Sequence, residues 1–76
     1  MNEREMIKWI NRCLNGMWSK EERKKGKTLN VSWDLWRTIN AVLPRYKGVG
    51  WLVTKNVETD GKERRLFLVF INPKIL

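Results

Sequence analysis

Six consecutive apolar residues, Leu66 to Ile71, follow Arg64 and Arg65 near the end of the chain. A strand with one wet face alternates apolar and polar residues. This run does not alternate, so a strand here needs cover on both of its faces. Asp60-Gly61 lies just before it, and that dipeptide is a strong two-residue turn signal. The segments GWLVTKNVE and KERRLFLVFI therefore read as the arms of a β-hairpin. With Asp60-Gly61 as the loop, Thr59 opposes Lys62, Val57 opposes Arg64, Val53 opposes Leu68 and Trp51 opposes Phe70. One face then carries Trp51, Val53, Val57, Leu66, Leu68 and Phe70. The other carries Leu52, Thr54, Asn56, Arg65, Phe67, Val69 and Ile71. The first face is the better core. Asn72-Pro73 ends the second arm, because proline cannot continue the ladder.

Upstream the pattern is helical. Met6, Ile7, Ile10, Cys13, Leu14, Met17 and Trp18 recur on one stripe, which predicts a helix over residues 3–18 that runs through Gly16. Asn2 suits its N-cap and Glu3 and Glu5 suit its positive end. Residues 19–27, SKEERKKGK, contain no apolar residue and bury nothing. Ser19 and Glu22 fit a capping box, so a short exposed helical turn is expected there. TLNV, residues 28–31, alternates weakly and reads as a short third strand. A second helix spans residues 32–43, with Ser32 as its cap and Asp34 in its first turn. Leu35, Ile39, Val42, Leu43 and Tyr46 share its inner face, with Trp36 at the edge, and Pro44 is expected to end or kink it.

The expected class is α+β: one domain over residues 1–76, with two helices packed on a C-terminal hairpin. Residues 32–71, a helix followed by a β-hairpin, resemble the general pattern of a winged-helix domain. That resemblance implies a recognition helix followed by a wing, and it is the alternative architecture. It also requires a packed middle helix, which residues 19–26 lack the apolar side to supply.

The side chains argue against an enzyme. There is no histidine, the usual general base at neutral pH. Asp34 and Asp60 have sufficient roles in a cap and a turn. Glu58, Asp60 and Glu63 gather around one turn, but Lys62 and Arg64 are interleaved and exposed turn carboxylates are common. No cofactor or metal is expected. The lone Cys13 excludes an internal disulfide and has no histidine to activate it. A reducing, cytoplasmic setting follows. No apolar run approaches the roughly 18 residues of a membrane span, so no membrane partner is expected.

Charge is the clearest functional signal. Sixteen Lys and Arg stand against eight Asp and Glu, giving a net charge of +8. Such a balance attracts polyanions. Lys20, Arg23, Lys24, Lys25 and Lys27 form a basic run suited to phosphate, or else a solvated charged loop. Trp33 and Arg37 lie four apart, away from the core face of their helix. They suit stacking on a base, or else Trp33 tucks under the loop as a satellite of the core. Lys55, Lys62, Arg64 and Arg65 spread along the hairpin, with Phe67 interleaved.

The first reading is a small nucleic-acid-binding domain, DNA before RNA, dominated by phosphate contacts. The second is a protein-interaction module that meets an acidic partner, such as a small phage-type or virus-type inhibitor of a host nucleic-acid enzyme. On that second reading the second hairpin face or Trp33 docks on the partner. The apolar second face, Leu52, Phe67, Val69 and Ile71, is otherwise expected to meet a second copy in a homodimer. The alternative cover is internal, by Trp9, Trp36 or the tail Lys74-Ile75-Leu76.

Overall fold

The computed structural model describes residues 1–72 and has an α+β fold. Helix α1 (Glu3–Leu14) is followed by a short helix α2 (Lys20–Lys25) and strand β1 (Lys27–Ser32). A 3₁₀ turn (Trp33–Leu35) leads into α3 (Trp36–Gly48), then β2 (Leu52–Asp60) and β3 (Glu63–Ile71). The sheet is antiparallel with the order β1-β3-β2. The apolar strand is therefore the central one, paired on both edges.

Helices α1 and α3 cover one face of this sheet. Their buried residues, Met6, Ile10, Ile39, Val42, Leu43 and Tyr46, meet Leu29, Val31, Leu66, Leu68 and Phe70. Each fully buried aliphatic side chain here contributes about 1.5–3 kcal/mol by leaving water. Tyr46 joins the two helices directly. Its hydroxyl donates to Asn11 Oδ1 at 2.8 Å, and the Ile7 carbonyl lies 3.3 Å away. Burial pushes the Tyr46 phenol above its ordinary pKa.

Four expectations change in detail. Helix α1 stops at Leu14 instead of running through Gly16 to Trp18. The reason is local: Trp18 Nε1 turns back and donates to the Leu14 carbonyl at 2.8 Å. Lys27 Nζ reaches the carbonyls of Cys13 at 2.8 Å and Met17 at 3.1 Å. A cation thus sits on the carbonyl end of the helix, where the macrodipole favours it. Met17, expected on the core stripe, is 94% exposed.

Ser32 does not cap α3; its hydroxyl bonds the Asp34 carboxylate, and the α-helix begins only at Trp36. Pro44 neither ends nor interrupts α3, which continues to Gly48. Pro44 faces solvent, where water can reach the carbonyl one turn back that its nitrogen leaves unpaired. The extra turn brings Tyr46 to α1.

The hairpin loop is Gly61-Lys62, closed by Asp60 opposite Glu63. Gly61 takes φ +61° at the first loop position, the position where glycine is favoured in type II′ turns. The register differs by two residues from that expected, so Val53 opposes Phe70 and Val57 opposes Leu66. A slip of two preserves the facing of every side chain, whereas a slip of one would invert it. Both face assignments therefore stand.

The winged-helix alternative lacks its middle helix. Between β1 and α3 there are only the three residues of the 3₁₀ turn, and α2 buries none of its side chains.

Candidate nucleic-acid interface

Trp33, Arg37 and Arg64 come together at one end of the sheet, around Trp36 at the edge of α3. Trp33 and Trp36 stack with ring centroids 6.3 Å apart and planes 25° apart. The Arg64 guanidinium lies 5.5 Å from the Trp33 ring centre, and that of Arg37 lies 5.4 Å from Trp36. Trp36 is 40% exposed. Among the described residues neither indole N–H has a protein acceptor, and neither arginine has a carboxylate partner.

The sequence builds this group locally and at long range. Trp33 and Trp36 are three apart across the start of a helix, so their side chains share a face. Arg64 arrives through the β1–β3 ladder. Ser32 opposes Arg65 in that ladder, so the residues just beyond β1 meet the start of β3. A shallow cleft of about 380 Å³ lies beside this group, between the end of β1 and the start of β3; Asn30, Val31, Ser32, Glu63, Arg64 and Arg65 line it, and the two tryptophans and Arg37 do not.

The pleat sorts the hairpin's charges. Successive side chains point to opposite faces. From the register, Lys55, Val57, Thr59 and Arg64 share the helix-covered face with Leu66 and Leu68. Glu58, Asp60, Glu63 and Arg65 share the other. Arg65 opposes Glu58 directly and has Glu63 at 3.8 Å. The helix side of the hairpin arms thus carries cations alone, and the three carboxylates lie opposite. They do not form a metal-holding group among the described residues. Lys55 donates to Asn40 Oδ1 on α3. Lys62 is exposed in the loop.

The basic run lies elsewhere. Lys20, Arg23, Lys24 and Lys25 are exposed on α2, whose first turn is fixed by a reciprocal cap. Glu22 N–H donates to Ser19 Oγ at 3.1 Å, and Ser19 N–H donates to Glu22 Oε1 at 2.9 Å. The Ser19 backbone hydrogen bond leads in holding the Glu22 carboxyl below its ordinary pKa; the Ser19 hydroxyl and Lys27 add to it. Lys27, grouped with this run by sequence, has its ammonium on two backbone carbonyls and 5.4 Å from the Trp18 ring centre. From Lys27 to Ser32 is roughly 17 Å at about 3.3 Å per residue. The run and the tryptophan–arginine group are therefore separate surfaces at opposite ends of β1.

Leu52, Phe67, Val69 and Ile71 share the second face, as expected. The chain itself covers part of it. The backbone of Gly26 crosses there so closely that a Cβ would lie 2.6 Å from Ile71 Cγ1 and 2.8 Å from Val69 Cγ1. Phe67, Val69 and Ile71 are half-buried, while Leu52 is 54% exposed. Trp9 and Trp36, considered as covers for this face, belong to the helix side. Residues 74–76, the third candidate, lie outside the described residues. Among the described residues no helix is long and apolar enough to cross a membrane.

No protein-family model matches the chain, and neither a curated protein nor a solved structure matches it.

Proposed function

We propose that this chain is a nucleic-acid-binding domain whose primary contact is the end of the sheet that carries Arg37 and Arg64. The observation that carries the reading is the convergence of Trp33 and Trp36 with two arginines from separate elements, neither of which has a carboxylate partner among the described residues. Cations without acidic partners release counterions when they meet phosphate, and aromatic rings beside them offer sequence-tolerant stacking. Lys55 and Lys62 extend the positive surface along the hairpin. Lys20, Arg23, Lys24 and Lys25 supply a second phosphate contact at the far end of β1. Arg65 is the weakest candidate, because Glu58 and Glu63 surround it.

The test is a salt titration with a fluorescent DNA oligonucleotide. Log affinity should fall linearly with log salt. Arg37→Ala and Arg64→Ala should each flatten that slope by about 0.7–0.9. Arg65→Ala should change it less. Binding that ignores salt, or slopes unchanged in both arginine variants, would overturn the reading.

A further inference from the structure

We infer that the nucleic acid taken at this end of the sheet is single-stranded, with an unpaired base stacked on Trp36. This rests on the proposed nucleic-acid binding and names which form is bound.

The geometry supplies a platform for a flat group. Trp36 lies against Trp33 on one side of the pair, and the group is capped by guanidinium groups at 5.4 and 5.5 Å. Guanidinium, indole and base planes stack interchangeably, so a base can extend this group or displace Arg37 from it. Arg37 is exposed and has no ion-pair partner among the described residues. It can move from the ring to a phosphate without breaking a salt bridge. The two indole N–H groups, without protein acceptors among the described residues, can donate to a base edge or to phosphate.

The hairpin adds one exposed apolar side chain on the helix side of the sheet. Asn40 on α3 meets Lys55 on β2. Trp36 lies one turn before Asn40, and Val57 lies two residues beyond Lys55 on the same face. Val57 is 51% exposed, although it faces the helix side. An exposed valine at the tryptophan end widens the surface for a stacked base.

A duplex fits this surface poorly. Its base faces are buried against one another, so only its ends offer a ring to Trp36. Insertion of the hairpin into a groove would bring both hairpin faces near phosphate. One of those faces carries Glu58, Asp60 and Glu63. Phosphate on that side would meet three carboxylates, with Arg65 among them.

The experiment compares a labelled thymidine homopolymer with a blunt-ended DNA duplex of equal length, across one matched series of salt concentrations. The full chain should bind the single strand at least tenfold more tightly. Trp36→Ala should lose roughly 5- to 100-fold of single-strand affinity. It should leave the salt slope unchanged, because stacking releases no counterion. Trp36→Phe should recover most of the loss. Equal wild-type affinity for the two forms would overturn the inference and leave the phosphate-binding reading standing. So would a Trp36→Ala variant that weakens both forms alike. Absence of salt-dependent binding to either form would overturn both. The wild-type comparison decides between the forms even if a variant fails to fold.

Discussion

Two tryptophan pairs in this molecule have nearly the same geometry and different surroundings. Trp18 and Trp51 stack at 6.0 Å with a 25° interplanar angle; Trp33 and Trp36 stack at 6.3 Å with the same angle. The first pair is tied into the core. Trp51 meets Phe70 edge-on at 6.2 Å, and Phe70 meets Tyr46 at 5.5 Å. Trp18 donates its indole proton to Leu14, and the cation over it, Lys27, is bound to two carbonyls. The second pair has none of these ties; its own cations have neither carbonyl nor carboxylate partners among the described residues. Stacked rings with a cation nearby do not by themselves indicate a binding surface. What separates the pairs is whether their polar groups are already satisfied within the fold.

Alanine at the two sites should give the largest contrast. Trp51→Ala removes a ring packed on Phe70 and should cost about 3 kcal/mol or more, in the range of core aromatic truncations. Trp36→Ala should cost about 1 kcal/mol, near the value of one aromatic pair. Urea melts of both variants measure this directly. Equal losses would erase the distinction between a structural pair and a surface pair.

The cations should differ in the same direction by less. Lys27→Met keeps the aliphatic stem but removes the ammonium from the Cys13 and Met17 carbonyls. Charged hydrogen bonds of this kind contribute about 1.5–3 kcal/mol. Arg64→Met loses only a cation–π contact, about 0.5–1 kcal/mol at an exposed site. Lys27→Met should therefore lower the melting midpoint more, while Arg64→Met should lower the salt sensitivity of DNA binding more. The reverse order would assign Lys27 to the ligand and Arg64 to the fold.

The smallest expected effect is a response to acid at the first pair's end of the sheet. The folded state holds Glu22 below its ordinary pKa, chiefly through the Ser19 N–H. Its contribution is therefore present above the unfolded-state pKa and is lost as pH falls through the lower folded-state value. The amides of α2 should lose exchange protection in that window, and the acid step should shrink in Ser19→Ala. An identical step in Ser19→Ala would remove the cap as its cause.

The hairpin, its face assignments and the core face of α3 were legible because each rests on a short-range period. The position of Trp33 and Arg37 off the core face was legible for the same reason: their helical phase points away from Leu35, Ile39 and Val42. The stacking of Trp36 on Trp33 was not read from sequence, although their spacing of three was the available signal. Arg64 could not be joined to Trp33 from sequence, because that contact depends on β1 pairing with β3. Lys27 was misgrouped because neighbours in sequence, Lys24 and Lys25, suggested a shared role. Its position as the first residue of β1 instead brings it back to α1. The overrun of α1 has a related origin. Met17 and Trp18 keep the helical phase, but Trp18 and Lys27 satisfy the terminal carbonyls and end the helix first.

The strand order has a consequence for how the fold is reached. Lys27 pairs with Phe70 and Ser32 with Arg65, so the β1 ladder joins residues that lie far apart in sequence, on either side of α3 and β2. The strand that occupies the middle of the sheet also comes last in sequence among the elements of the described residues. Until residues 63–71 have been synthesised, β1 has no neighbour and the apolar faces of α1 and α3 have no central strand beneath them. Folding should therefore wait for β3 and then proceed cooperatively, with a rate limited by the search for these non-local pairings. The incomplete chain should expose Leu29, Val31 and the inner faces of both helices. It is this species, before β3 docks, that should be most open to aggregation and proteolysis.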